Sequence, residues 1–389
     1  MKIFDAYPHL NIIPETSQKC KIYDIDGKEY LDLYAGNGVV SVGHSHPHYV
    51  NSLTEQLQRI GFYTNDVENP LQNELARKLG RLCGYEDYSL ALCNSGAEAN
   101  DYALRLASFH TGKHRIIAFR GSNHGTTIGS ISVSGSANLH SPFETNLKVT
   151  FAEINDTDTI SAELAKGDVA AVIIEGIQTA NGLTMPQTYF MQQLRRLCSE
   201  NNAVLIIDEV HSGYGRTGKF FAHQCHNVQA DIITIANGMG NGFPVGGIIV
   251  SPAFDKNSGK IGQNPYNGSH LAVTAAIAVA DIIGEAGLID NAQKVGQYII
   301  DNLPKSPLIK ETRGKGLLIG IEMHKPAADI RKKLLTNECI FTGLSGQSTI
   351  TLTPPLTLTL DEADIFLNAF AKILAEAEEK EKQEQPTLF

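Results

Sequence analysis

The chain has 389 residues and a formal net charge of −10 at neutral pH, from 32 lysines and arginines against 42 aspartates and glutamates. This acidic balance argues against general binding to nucleic acids or to anionic membranes, because both carry negative charge. No apolar run approaches the roughly 20 residues of a membrane helix, and the first residues lack a signal-peptide core, so we expect a cytoplasmic protein. The length predicts two domains. Six widely spaced cysteines without a CxxC pair indicate reduced thiols, not a disulfide framework or a zinc site.

The first predicted elements follow from local patterns. Two alternating apolar runs flank an Asp-Gly pair between Cys20 and Tyr34, which indicates a β-hairpin. Leucines recur every fourth residue from Leu71 to Leu79, which predicts an amphipathic helix over residues 70–81.

A strand, a turn of small residues and a helix are predicted within residues 89–109. The apolar run before Asn94 enters the turn of Ser95, Gly96 and Ala97, and a helix with an alanine-rich face follows. The first backbone N–H groups of such a helix are available to an anion. The turn is therefore a candidate phosphate site.

Further apolar runs, rich in β-branched residues, are typical of buried parallel strands. Two of these runs cover residues 115–119 and 169–174, a third ends at Asp208, and a fourth ends just before Asn237. A helix is predicted over residues 189–200. Glu175, Asp208 and Asn237 therefore stand at the edge where open α/β sheets bind ligands, although strand-end aspartates also cap turns. Glycines 238, 240, 242, 246 and 247 predict a loop that approaches a ligand, with an ordinary turn as the alternative.

With these motifs the chain resembles the class III (subgroup II) pyridoxal-phosphate-dependent aminotransferases, and in particular the acetylornithine aminotransferases, from about Phe4 to about Ala375. The resemblance implies an α/β protein of fold type I, with a large domain built on a mainly parallel sheet and a smaller α+β domain. The expected boundaries are an N-terminal segment that joins the small domain (1–55), the large domain (56–265), a connecting helix with the small domain (266–373), and a charged tail that is mobile at its end (374–389).

The resemblance also implies cofactor contacts. It assigns them to Ser95, Gly96, Ala97, Asp208, Val210 and Asn237. The small-residue turn holds the cofactor phosphate in that family, Asp208 matches the partner of the pyridinium nitrogen, and Asn237 occupies the position of the lysine that holds the cofactor as a Schiff base. A carboxamide has no nucleophilic amine, so we expect pyridoxal phosphate to bind at most weakly and without a covalent bond.

Other pocket positions also depart from the family pattern. Asn123 and Thr126 replace a stacking aromatic residue and a carboxylate-binding arginine, and Thr351 replaces a second arginine. Pro265 replaces a threonine that reaches the partner subunit's phosphate, and His211 replaces a glutamine. With Asn237 there are six departures. A change at the lysine alone would suggest an engineered variant, whereas six indicate divergence.

Several polar residues have two interpretations. The family glutamate at Glu175 lies near the distal end of the substrate, but a pair with a structural arginine would explain it equally well. His211 is expected to be a polar lining residue, with a new acid-base role as the alternative. Lys219 belongs to a GRTGK segment shared with active relatives, so we do not expect it to replace the lysine.

Three histidines invite a metal interpretation, because His44, His46 and His48 alternate as strand positions do. The family has a His-Pro loop at the same place and binds no metal there. We therefore expect no metal site.

Three functional hypotheses follow. The first is an acetylornithine aminotransferase-like protein that no longer transfers amino groups; it forms a homodimer or pairs with an active paralogue, and binds a small amino acid or keto acid. The second is an enzyme that still uses pyridoxal or pyridoxamine phosphate, with His211 or His124 as the base, or an engineered Lys-to-Asn form of an active enzyme. The third is an interaction protein whose tail, Gln385–Phe389, resembles the peptides that bind the DNA sliding clamp.

Overall fold

The computed structural model describes residues 1–2, 4, 10–135, 147–262 and 264–384. The strands are β1 Pro14–Gln18, β2 Lys21–Asp24, β3 Glu29–Asp32, β4 Ser89–Cys93, β5 Arg115–Phe119, β6 Val149–Ala152, β7 Val169–Glu175, β8 Val204–Asp208, β9 Ile232–Ile235, β10 Gly246–Val250, β11 Ile309–Lys315, β12 Leu318–Met323, β13 Ile340–Phe341, β14 Gly343–Ser345 and β15 Thr349–Leu352. The helices are α1 Ala35–Gly38, α2 Pro47–Arg59, α3 Pro70–Cys83, α4 Gly96–Thr111, α5 Ile128–Ser132, α6 Thr157–Leu164, α7 Thr188–Glu200, α8 His270–Glu285, α9 Leu288–Asp301, α10 Ala328–Glu338 and α11 Leu360–Glu384.

The largest sheet of the described chain has seven strands in the order β4-β10-β9-β8-β7-β5-β6. Neighbouring strands from β6 to β9 are parallel, and β10 is antiparallel to both of its neighbours. Every residue of β5, β7, β8 and β9 is buried, as expected for strands that are covered on both faces. This confirms the predicted mainly parallel sheet.

Alternate residues of these strands pack into two layers of core, one on each face of the sheet. On one face, Ile206 packs in a cluster with Ala103 of α4. On the other face, Leu205 and Ile207 belong to a cluster that includes Phe190 of α7. This alternation follows from the two-residue period of a strand. Because β7 and β8 are parallel and in register, they end side by side at Glu175 and Asp208.

Two smaller sheets lie outside the large one. The C-terminal sheet, β11-β12-β15-β14, is antiparallel. The N-terminal strands β1, β2 and β3 form an antiparallel meander that includes the predicted hairpin, and β13 extends it by pairing in parallel with β3. The N-terminal segment and the C-terminal part of the chain therefore share a sheet. The domain boundaries at 55, 265 and 373 stay predictions.

Two further expectations concern the helices and the cysteines. Among the described residues, no single helix is long and apolar enough to cross a membrane. The consecutive helices α8 and α9 are together long and apolar enough, but a bend of 68° separates them. All six cysteines are free thiols, and four of them are buried. The tail segment Gln385–Phe389 lies outside the described residues.

Candidate active site

The predicted anion turn joins β4 to α4. Ser95 is the N-cap of α4, and its side chain accepts a hydrogen bond from the Glu98 N–H at 3.2 Å. The first N–H groups of an α-helix have no partner within the helix, so those of Gly96 and Ala97 are available to a ligand. A Cβ on Gly96 would lie 2.7 Å from Val210 Cγ1, so only glycine allows Val210 to pack on this turn.

Asp208 is the centre of a buried polar network. Its Oδ2 atom accepts hydrogen bonds from His124 Nδ1 and from Asn100 Nδ2, both at 2.8 Å, and its Oδ1 atom accepts the Val210 N–H at 2.9 Å. Burial alone would raise the pKa of Asp208, but His124 and the other hydrogen-bond donors outweigh it, so the pKa is lowered. His124 Nε2 is buried and has no partner within the described chain.

Glu175 lies beside Asp208 and is also buried. Its Oε2 atom accepts the Asn123 N–H at 3.2 Å, and its Oε1 atom has no hydrogen-bond partner among the described residues. Burial and the neighbouring Asp208 carboxylate raise the pKa of Glu175 well above its usual value. Among the described residues, Glu175 forms no ion pair with an arginine, and its carboxyl accepts a backbone N–H. The role of Glu175 near the substrate stays a prediction.

Asn237 follows β9 and begins a short 3-10 turn, Asn237–Met239, in the left-handed region with φ 46°. Its amide nitrogen lies 3.3 Å from His211 Nδ1, and both side chains are half-buried. Burial lowers the pKa of His211, so its imidazole is neutral at pH 7. Lys219 is on the surface.

The glycine-rich segment after Asn237 differs in part from the loop that the sequence suggested. Of the five glycines singled out, Gly242 has a positive φ, whereas Gly246 and Gly247 lie in β10. A Cβ on Gly246 would lie 2.9 Å from the Ser95 carbonyl oxygen, and one on Gly240 would lie 2.1 Å from the Phe243 carbonyl oxygen. These glycines therefore allow close approach of the chain's own backbone, and the expectation that all five admit a ligand is wrong.

A cavity of about 230 Å³ opens next to His211 and Asn123. Its lining residues are Asn37, Asn123, Thr179, Ala180, Leu183, His211, Leu318, Leu344, Ser345, Gly346, Thr351 and Thr353. The cavity thus brings Asn123, His211 and Thr351 together, and Asn237 is the neighbour of the lining residue His211 but does not line the cavity itself. Thr126 and Pro265 are exposed in this single chain and do not line the cavity.

The three alternating histidines have different surroundings. His44 Nε2 lies 2.8 Å from Asp32 Oδ2, and His48 Nε2 lies 3.6 Å from Asp281 Oδ2. Among the described residues, no group of three or more histidine, cysteine, aspartate or glutamate side chains is arranged to hold a metal ion.

The sequence reasoning missed Asn100 and the lining residues Asn37 and Thr353. Asn100 is 1% exposed and lies next to Ala99 and Ala103 on the buried face of α4. A single amide on a face of alanines was the available signal, because a buried amide needs a polar partner. Asn37 and Thr353 left no comparable signal.

Comparisons with known proteins agree along most of the chain. A family model described as "Aminotransferase class-III" matches residues 4–374. The acetylornithine aminotransferase of Archaeoglobus fulgidus is 34% identical over 369 residues, covering 93% of this chain and 95% of that protein. The protein of the same name from Bacillus subtilis is 35% identical over 368 residues, covering 92% and 94%. The solved ornithine aminotransferase of Toxoplasma gondii, with partial occupancy of PLP at its active site, superposes with a TM-score of 0.91 at 25% identity, covering 97% of this chain and 92% of that one.

Proposed function

Because this chain belongs to the class III aminotransferase family, we propose that it is an acetylornithine aminotransferase-like protein that does not carry out ordinary amino transfer. The relatives' names support acetylornithine as the ancestral amino donor of this pocket, and the family resemblance implies 2-oxoglutarate as the acceptor. The observation that carries the proposal is Asn237, a carboxamide at the position of the cofactor-binding lysine, with His211 as its neighbour.

Pyridoxal phosphate is the cofactor of this family, and the described residues suit its two ends. The N–H groups of Gly96 and Ala97 at the start of α4 suit the phosphate. The buried Asp208 carboxylate, held by His124, suits a protonated ring nitrogen, and the Val210 side chain that packs on Gly96 would contact the ring. The third attachment is missing, because the Asn237 carboxamide cannot form a covalent bond to the cofactor. We therefore propose weak, non-covalent binding.

Amino transfer needs more than a bound cofactor. Bound pyridoxal phosphate supplies an electron sink for bonds next to the substrate nitrogen. The chain must then move a proton at the substrate carbon, and Asn237 has no basic atom for that task. His211 is the neutral side chain next to Asn237 and is a candidate for that base. The two arginines that orient the substrate in the resembling enzymes would still be missing, because an exposed threonine, Thr126, and an uncharged one, Thr351, hold their positions.

We propose that the protein is a cytoplasmic homodimer, or a dimer with a lysine-bearing paralogue. Large apolar side chains are exposed on α2 and just after it, including Leu57, Ile60, Phe62 and Tyr63. Tyr266, which is 64% exposed, packs on Phe62 with ring centroids 5.5 Å apart. Exposed apolar residues of this kind support a subunit interface.

Amino transfer and assembly test the proposal together. Purified protein is incubated with pyridoxal phosphate, N-acetylornithine and 2-oxoglutarate, and glutamate formation is followed, with the Bacillus subtilis relative as the positive control. We expect a folded dimer by light scattering and no glutamate above the level of protein-free samples. Turnover within a hundredfold of the relative's would disprove the proposal.

A further inference from the structure

No residue that lines the cavity beside His211 in the described part of the chain carries a formal charge, apart from any proton on His211 itself. The cavity's twelve lining residues are amides, hydroxyl-bearing residues, small or aliphatic residues and one histidine. Because burial lowers the pKa of His211, that side chain adds no positive charge at pH 7. At about 230 Å³ the cavity is smaller than the roughly 300–1,000 Å³ of sites for drug-sized ligands.

Hydrogen-bonding capacity remains inside this uncharged cavity. The Thr351 hydroxyl makes no hydrogen bond to the described part of the chain, although the residue is only 7% exposed. The Asn123 side-chain carbonyl accepts the Gly125 N–H at 3.3 Å, which leaves its NH₂ group for a ligand. Thr353 and Ser345 are already engaged, with the Tyr34 and Thr179 carbonyls respectively. Among the described lining residues, the side chains free to meet a ligand therefore include the hydroxyls of Thr351 and Thr179 and the amides of Asn123 and Asn37.

Two arginines lie just outside the lining. Arg313 lies next to Gly182, but its two terminal nitrogens form ion pairs of 2.6 Å with Glu311 and Glu322. Arg216 is buried and donates to the carbonyls of Gly38, Leu317 and Pro354, so these neutral partners hold its guanidinium outside the lining. Its positive charge acts on His211 and, after burial, helps to lower the pKa of that imidazole.

Behind Asn123 lie Glu175 and Asp208, both of which are acidic. A ligand carboxylate in this cavity would lose its water and find no charged partner among the described lining residues, which is unfavourable. The Asp208 carboxylate behind Asn123 adds repulsion, whereas the raised pKa of Glu175 favours its neutral form.

We propose that this cavity binds an uncharged polar group, such as a primary carboxamide, where the resembling enzymes bind a substrate carboxylate. The inference rests on the proposed function, since it assumes that the ancestral pocket persists as a binding site. A carboxamide can donate from its NH₂ group to the Thr351 hydroxyl oxygen and accept from the Asn123 NH₂ group with its carbonyl oxygen. Because a carboxamide is neutral, its binding does not bury a charge.

A matched pair of ligands tests this preference. The full chain is titrated by calorimetry with N-acetylornithine and with its α-carboxamide, which differ only at the carboxylate. We expect the carboxamide to bind at least tenfold more tightly. Thr351→Val removes the hydroxyl with little change of shape and is expected to weaken carboxamide binding roughly 2- to 10-fold. Thr349→Val, two residues earlier on β15 and outside the lining, is the control and is expected to change neither affinity.

Thr351→Arg is the converse variant. It places a positive charge in the cavity and is expected to reverse the preference in favour of the carboxylate. Equal or tighter binding of N-acetylornithine by the unmodified chain would overturn the inference, and so would undetectable carboxamide binding at millimolar concentration. Amino transfer in the same samples would instead disprove the proposed function and leave the ligand preference to be read from the titrations.

Discussion

Replacing Asn237 by lysine is expected to leave the protein without useful turnover of N-acetylornithine. The variant restores the missing amine at the start of the 3-10 turn but leaves the substrate-binding residues unchanged. Of the two positions that carry arginine in the resembling enzymes, Thr126 is exposed and Thr351 lines an uncharged cavity. Neither side chain can form an ion pair with a carboxylate.

The expected deficit can be worked from these two positions. A hydrogen bond to a charged group contributes about 1.5–3 kcal/mol, so two missing clamps weaken transition-state binding by about 3–6 kcal/mol. At about 1.36 kcal/mol for each tenfold change in rate, kcat/KM falls by roughly 10²- to 10⁴-fold relative to an enzyme that has both arginines.

The assay follows glutamate formation from N-acetylornithine and 2-oxoglutarate. Asn237→Lys is compared with Asn237→Gln, which adds length without an amine, with the triple variant that also carries Thr126→Arg and Thr351→Arg, and with the Bacillus subtilis relative. We expect the single lysine variant to stay at least about 100-fold below the relative, and the triple variant to exceed the single one. A single variant within tenfold of the relative would refute the reasoning, because it would show that the clamps contribute little.

Three further predictions concern stability and assembly. Asp208→Asn should leave at least one of three buried donors unpaired, at about 1–3 kcal/mol, and lower the apparent Tm more than Asp231→Asn, whose side chain is 30% exposed. Because the folded-state pKa of Asp208 is lowered, this difference should be present at neutral pH and disappear as the pH falls through that pKa. The lowered pKa of His211 means that the unfolded chain binds more protons than the folded chain as the pH drops below about 6.5. Stability should therefore decrease as the pH is lowered through that range, and His211→Gln should reduce this slope. Phe62→Glu should dissociate the proposed dimer in light scattering, whereas Tyr189→Glu, at the more exposed start of α7, should not.

Each of these predictions has a distinct contradicting result. Equal melting temperatures for Asp208→Asn and Asp231→Asn would show that the buried network does not stabilise the fold. An unchanged pH slope in His211→Gln would assign the pH dependence to another group. A Phe62→Glu protein that stays dimeric would place the interface elsewhere.

The elements of the large sheet were predictable from sequence for a physical reason. Strands covered on both faces are continuous apolar runs, so residues 115–119 were identified to the residue, and the run from Val169 extends one residue beyond the prediction. The amphipathic helix predicted over 70–81 extends to Cys83. The juxtaposition of Glu175 and Asp208 followed from the rule that parallel strands end at one edge. The fold type I architecture is confirmed by the solved ornithine aminotransferase.

The parts that the sequence could not supply depend on contacts between distant segments. Asn100 reaches Asp208 across 108 positions, and no local pattern encodes that pairing. The cavity combines Asn37, Asn123, His211 and Thr351 from four separate parts of the chain, so its lack of charge became visible only after folding. Glycine spacing likewise could not distinguish approach by a ligand from approach by the chain's own backbone.

The most direct test of the central claim is whether any lysine takes up the cofactor. Purified protein is incubated with pyridoxal phosphate, reduced with borohydride and digested, and cofactor-bearing peptides are identified by mass. We expect the protein to be a folded dimer. Because position 237 holds a carboxamide, we also expect no stoichiometric adduct on any lysine. A stoichiometric adduct on one lysine would contradict the proposal, because it would show that another residue has taken over the covalent attachment.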